Sequence, residues 1–328
     1  MSLSGGRTTF CKWFPVPGGV LQKSQPGSRS SVWSASNQLV GSPEPIEHID
    51  LSDGRILSLA RFGDPEGQPV LYFHGFPGSR LEAQFSDQAA EQAGVQIVAV
   101  DRPGFGRSTR KPGRRLLDWP DDVLELTKAL GWDHFSIIGV SGGGPYAAAC
   151  ALSIPERLDR VVIVCGLGPL DAPGATDGMM RGNRILFWCG RYFPLLVWLM
   201  MARMASSLAT DSEKAFEKSA RELPEPDRAV FARHEVRKAL VASVREAFHQ
   251  GTRAAVDDAL IYARPWGFKL EDVRAPVALL QGELDVNVPP SMGHYQATTI
   301  PDCRASFFPE DGHFSLSFDR FNEVIAAL

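Results

Sequence analysis

A short apolar strand, read over His134–Gly139, runs straight into Gly139-Val140-Ser141-Gly142-Gly143, and an Ala-rich helix through Leu152 begins at once. This strand–turn–helix junction constrains the chain more tightly than any other feature. So sharp a turn forces its central residue into a strained backbone conformation and lifts the hydroxyl above the edge of a sheet. A side chain at 139 or 143 would collide with the neighbouring strand or helix, and both positions are glycine. The helix beginning at 142 aims free N–H groups at the same point, which favours developing negative charge. Ser141 is the candidate nucleophile.

The flanking segments repeat one rhythm. Ile49–Leu51 and Arg55–Phe62 around Ser52-Asp53-Gly54 read as a hairpin. Val70–Phe73, Val95–Val100, Arg160–Cys165, Val277–Gln281 and Ala305–Phe308 are apolar runs of buried-strand length. Helical periodicity separates them over Leu81–Ala93, Trp119–Leu130 and Pro290–Thr298, and Phe318–Leu328 reads as a closing helix. Buried strands alternating with helices need crossover connections, hence a mostly parallel sheet covered by helices on both faces. Between Leu167 and Pro265 no strand pattern occurs, so residues 167–264 read as an inserted helical cap on a core of 47–166 and 265–328.

A serine hydroxyl is a weak nucleophile at neutral pH and needs a base beside it. Of seven histidines, His313 in Glu310-Asp311-Gly312-His313-Phe314 follows the last strand, on the carboxyl edge where Ser141 also emerges. His74 ends another strand, where its neighbours suit a structural role. The acid belongs at a strand end between nucleophile and base. Gln281-Gly282-Glu283-Leu284-Asp285 offers two carboxylates there; Asp285 has the short side chain that reaches a histidine, and Glu283 braces the loop. Asp171, after the strand ending near Cys165, is the rival position. The acid would fix the tautomer of His313 and stabilise the imidazolium without taking its proton. Acyl transfer also needs two N–H donors at the nascent oxyanion. The backbone of Gly142 supplies one, and that of Phe76, after His74-Gly75, supplies the other.

Bulk properties set outer bounds. The chain has 328 residues and a formal charge of −4, which gives no general attraction to nucleic acid or anionic lipid. Five widely spaced cysteines without a CxxC pair read as buried, reduced thiols rather than a disulfide framework or a metal site, in keeping with a cytoplasmic protein. Residues 1–46 begin with a basic, Ser-rich stretch with no acidic residue before Glu44, and no signal-peptide core follows. That stretch reads as a disordered extension or, alternatively, an organelle transit peptide.

Five motifs occur in order: HGFPGS at 74–79, DRPGFGRS at 101–108, GVSGG at 139–143, GELDVNVP at 282–289 and DGHF at 311–314. Together they resemble the α/β-hydrolase superfamily over residues 47–328. The resemblance implies an α/β-hydrolase fold, with an eight-stranded, mostly parallel sheet, a helical cap and no cofactor or metal. It also implies a structural role for the Asp101 loop. Ser141 departs from the Asp nucleophile of epoxide hydrolases and haloalkane dehalogenases, and Gly142 from the Trp usual in proline iminopeptidases.

Within the cap, Ile185–Met204 holds an eleven-residue apolar stretch, Tyr192–Ala202. It is too short to span a bilayer and contains Pro194, so cap helices roofing an apolar pocket are the expectation, ahead of peripheral membrane contact. Ser212–Gln250 is strongly charged and reads as solvated helix faces. The partner implied is a small hydrophobic substrate. The expected chemistry is ester, thioester or lactone hydrolysis through an acyl-enzyme. Carbon–carbon bond hydrolysis and perhydrolysis use the same triad, and a non-catalytic ligand receptor uses the same fold.

Overall fold

The computed structural model describes residues 47–328; the readings made for 1–46 lie outside the described residues. Eight strands form one sheet: β1 (Glu47–Asp50), β2 (Ile56–Gly63), β3 (Gln68–Phe73), β4 (Val95–Val100), β5 (Phe135–Val140), β6 (Leu158–Val164), β7 (Val277–Gly282) and β8 (Cys303–Phe308). Their order is β1-β2-β4-β3-β5-β6-β7-β8. The hairpin β1–β2 and the β2–β4 pair are antiparallel, and every pairing from β4 through β3 to β8 is parallel.

Side chains alternate across a strand, and the central strands are apolar on both sides. Leu71, Phe73, Ile137, Val161 and Ile163 face one core, with α2 (Trp119–Leu130) and α3 (Gly144–Ser153) packed on it. Val70, Tyr72, Ile138, Val162 and Val164 face the other, against α1 (Asp87–Ala93) and α12 (Phe321–Ala326). All but the last two residues of α3 are buried, which explains a helix that is apolar all round rather than striped.

Between β6 and β7 the chain forms α4 (Arg181–Tyr192), α5 (Pro194–Thr210), α6 (Ser212–Ala220), α7 (Glu225–Ala232), α8 (His234–Ala247) and α9 (Arg253–Tyr262). Between β7 and β8 lies α10 (Pro290–Thr299), and α11 (His313–Asp319) precedes α12.

Two expectations need correction. The closing helix is two helices broken at Arg320, the first starting at His313 itself, because Gly312 turns the chain and Ser315 Oγ accepts its N–H at 2.7 Å. The helix expected from Leu81 opens as a 3₁₀ turn over Arg80–Ser86, and only Asp87–Ala93 is α-helical.

Candidate active site

The parallel arrangement puts the carboxyl ends of β3, β5, β7 and β8 on one edge of the sheet, and each is followed by a loop carrying a candidate residue. At the end of β5, Ser141 has φ 52°, the left-handed region that side chains rarely enter. Such strain costs on the order of 1–3 kcal/mol and persists only where the surroundings impose it. The flanking glycines show what imposes it. A Cβ on Gly139 would lie 2.7 Å from the Ala147 Cβ, and one on Gly143 would lie 2.1 Å from the Phe73 carbonyl oxygen. β5 lies too close to α3 at Gly139, and the turn too close to the end of β3 at Gly143, for any other residue.

After β7, Asp285 is buried and its carboxylate is fully engaged. Oδ1 accepts the backbone N–H groups of Asn287 and Val288, each at 2.8 Å. Oδ2 lies 2.7 Å from Nδ1 of His313, itself buried at the start of α11. Burial opposes charge on this imidazole, but the Asp285 carboxylate beside it outweighs burial and raises its pKa above 6.5, helped by Asp227 and Glu82. With Nδ1 engaged by Asp285, Nε2 is the nitrogen left to take a proton. Asp171, the rival acid, is exposed in the turn region before α4. Glu283 faces His294 at 3.4 Å, away from this pair.

Cys165 also lies close: ligand-type atoms of Cys165, Asp285 and His313 fall within 4.8 Å of one another. These residues do not fit a cation site. Nδ1 of His313 is already hydrogen-bonded to the carboxylate, and burial pushes the Cys165 thiol well above its usual pKa.

The loop after β3 carries Phe76, followed by a cis Phe76–Pro77 peptide. A Cβ on Gly142 would sit 2.6 Å from the Phe76 Cβ and 3.3 Å from its backbone nitrogen, so the two expected donors share one corner. His74 is wholly buried within the loop. Its Nδ1 lies 2.9 Å from the Gly75 carbonyl, and Arg102 N–H donates to its Nε2 at 3.3 Å. Burial and the nearby Arg102 guanidinium hold its pKa well below the usual histidine range.

Several residues that shape this corner are illegible as site residues in the sequence. Glu82 accepts the Gly75 N–H at 2.8 Å and the Tyr72 hydroxyl at 3.0 Å, which pins the Phe76 loop. Burial raises its pKa despite those donors. The Tyr262 hydroxyl on α9 lies 2.7 Å from the Gly142 carbonyl and 3.0 Å from Asp258 Oδ2. Asp258 receives Arg102 Nε at 3.1 Å, the Tyr146 hydroxyl at 2.5 Å and Arg114. Arg102 also donates to the carbonyls of His74 and Gly75. Burial alone would raise the Asp258 pKa, yet Arg114 and Arg102 hold it at about 2.

Asp227 on α7 corrects the reading of Ser212–Gln250 as solvated faces. It is fully buried and accepts the N–H groups of His313, Phe314 and Ser315 at 3.0, 3.0 and 2.8 Å. A carboxylate from one segment thus caps the N-terminus of another. Nothing in the local sequence of either segment announces the pairing.

Ser141, His313, Phe76 and Gly142 line one cavity of about 470 Å³. Its remaining wall is largely apolar, with Leu186, Phe187, Met201, Leu208, Phe231 and Leu240 from the helices between β6 and β7. The exposed Lys218 lines it as well.

The family model described as alpha/beta hydrolase fold matches residues 68–319. A serine hydrolase-like protein of Dictyostelium discoideum is 30% identical over 126 residues, 37% of this chain and 35% of that protein. Epoxide hydrolase B of Mycobacterium tuberculosis is 30% identical over 125 residues, 36% of this chain and 35% of that one. The chain thus spans about a third of the length of these curated relatives. Among solved structures, a hydrolase from Pseudomonas aeruginosa superposes with TM-score 0.62 at 19% identity, covering 87% of this chain and 98% of that one. An esterase from Exiguobacterium antarcticum gives TM-score 0.60 at 17% identity, covering 85% and 97%. At such identities these two establish the fold, and the matched family model covers most of the chain: the protein belongs to the α/β-hydrolase fold family.

Proposed function

We propose that this chain hydrolyses carboxylic esters, thioesters or lactones carrying an apolar group, through an acyl-enzyme on Ser141. The observation that carries the reading is a cavity of about 470 Å³ that Ser141 and the Asp285-bound His313 both line, with a largely apolar wall. In this reading His313 Nε2 takes the Ser141 proton as the hydroxyl attacks the carbonyl carbon. The N–H groups of Phe76 and Gly142 receive the oxyanion, and Asp285 holds the imidazolium. His313 then returns the proton to the leaving group and activates the water that deacylates Ser141. Residues 167–264 serve as the cap over a core of 47–166 and 265–328, and their apolar side chains bind the acyl or aryl group. A cavity of this volume lies within the roughly 300–1,000 Å³ range of small-molecule sites.

A serine cannot support the alkyl-enzyme chemistry of an aspartate nucleophile, so the likeness to an epoxide hydrolase is read as shared architecture. The test is labelling by a fluorophosphonate together with turnover of chromogenic esters of graded acyl length. Labelling and turnover, both lost in Ser141→Ala, are expected. Absence of labelling would overturn the reading in favour of a ligand receptor, and labelling without ester turnover would redirect it to carbon–carbon hydrolysis or perhydrolysis.

A further inference from the structure

The helices α4 and α5 each carry two apolar faces. The inner face holds the buried Leu186 and Phe187 of α4 and Val197, Met201 and Leu208 of α5. The outer face is open. Ile185, Trp188 and Tyr192 follow one another at helical spacing along α4, then Phe193, Leu195, Leu196, Trp198 and Leu199 continue it past the Phe193 break. Leu195 at the turn is 83% exposed, and Trp188 and Trp198 are 56% and 53% exposed. A contiguous apolar patch of this kind is rare on a monomer surface and marks an interaction site.

Charge decides what covers it. From Gly178 to Thr210 the chain has four arginines, Arg181, Arg184, Arg191 and Arg203, and no carboxylate, although the whole chain is acidic at −4. All four are exposed, and none is paired with an acid among the described residues. A second copy docking through the same patch would set arginines against arginines under twofold symmetry, an electrostatic penalty. A surface of anionic headgroups over hydrocarbon complements both the cations and the apolar side chains, with tryptophan and tyrosine at the depth they favour. Neither helix crosses a bilayer: no described helix is long and apolar enough to do so. We propose that the α4–α5 hairpin is a monotopic docking element for an anionic lipid surface, seated with Leu195 and Trp198 in the acyl boundary.

Its placement gives the docking a use. Leu186, Phe187, Met201, Met204 and Leu208 of these same helices line the cavity that holds Ser141. The same two helices thus present apolar side chains outward and to the cavity. The docking claim itself stands on the outer face alone, whether or not Ser141 proves to be a nucleophile.

The experiment is flotation of the full chain with vesicles of phosphatidylcholine alone or with roughly a third phosphatidylserine. The chain should float with the anionic vesicles, and about tenfold less with neutral ones or at high salt, where headgroup charge is screened. Leu195→Glu with Trp198→Glu should lower the floated fraction by about tenfold at an unchanged melting temperature. Arg181→Glu with Arg184→Glu should remove the preference for anionic lipid. Failure of the wild-type chain to float, or flotation of the Leu195→Glu/Trp198→Glu variant at the wild-type level, would overturn the proposal. Equal flotation with both vesicle types would overturn the assignment to anionic headgroups. A dimer by light scattering that those two substitutions dissolve would give the face to a second copy instead.

Discussion

The backbone N–H of His313 donates to Asp227 Oδ2 at 3.0 Å, across 86 residues of sequence. One carboxylate on α7 thereby sets the first turn of α11, and with it the orientation from which the imidazole reaches Asp285. Replacing Asp227 by Ala leaves the N–H groups of His313, Phe314 and Ser315 without that acceptor, and for the two that are buried this costs about 1–3 kcal/mol each. We expect a stability loss of about 2–4 kcal/mol in urea unfolding. Asp227→Asn keeps the volume but offers one acceptor oxygen instead of two. In that variant kcat/KM should fall by about 10–100-fold, since small misplacement of a base is costly. Wild-type kcat/KM in Asp227→Asn would show that the turn is held by other means.

Ser141→Ala should abolish fluorophosphonate labelling and lower kcat for a short ester by about 10⁴-fold or more. Its melting temperature should not fall, because alanine relieves none of the packing at Gly139 and Gly143 and adds no bulk. Turnover within tenfold of wild type would assign the chemistry to another residue.

The pH profile follows from the sign of the His313 shift. Its pKa lies above 6.5 in the folded chain, so its protonated form, inactive in the proposed role as base, persists to higher pH than for a free imidazole. The acid limb of kcat/KM should therefore have its inflection above pH 6.5. Asp285→Asn removes the chief source of that shift, should move the inflection downward and should lower kcat by about 10³–10⁴-fold. An inflection below 6.5 in the wild-type chain would contradict this electrostatic picture.

Asp258 is expected to dominate acid sensitivity. Its folded pKa of about 2 lies below the unfolded carboxylate value, so its stabilisation is complete above about pH 4. It is lost as pH falls from there through about 2. Asp258→Asn leaves Arg102 and Arg114 buried without their counterion, and should destabilise the chain by about 3–5 kcal/mol at pH 7. Thermal melts at pH 7 and pH 3 measure both effects.

Substrate length can be probed at the cavity wall. Leu208 is buried on α5 and lines the cavity. Leu208→Trp should lower kcat/KM for long acyl esters by about tenfold while leaving acetyl and butyryl esters near wild type. A uniform loss across all lengths would indicate that acyl groups bind elsewhere.

Much of this was legible in the sequence where punctuation is local. The bounds of the strand Val95–Val100 and the helix Trp119–Leu130 are legible to the residue, since Gly94 precedes the first while Pro120 and Gly131 bracket the second. The family and the eight-stranded sheet were legible for the same reason: the Gly- and Pro-rich motifs sit at strand ends. The positions of Ser141, Asp285 and His313 are marked by that punctuation too. Asp227, Asp258, Glu82 and Tyr262 are not, because each acts through partners far along the chain or through a loop. In a charged amphipathic helix, a buried acid spells the same as a solvated one. The apolar stretch of α4 and α5 is visible in the sequence, but which of its residues stay exposed is not, since apolar residues that enter a core and those left on a surface share one composition.

Asp258 has a consequence for altering substrate range by exchanging the helices between β6 and β7. It sits on the last of those helices, yet among the described residues it is the carboxylate that neutralises Arg102 and Arg114, and Arg102 in turn holds the carbonyls of His74 and Gly75. A grafted segment lacking an acid in that register would leave two buried cations without their counterion. Transplants should therefore keep α9 with the host sheet and vary only what precedes it.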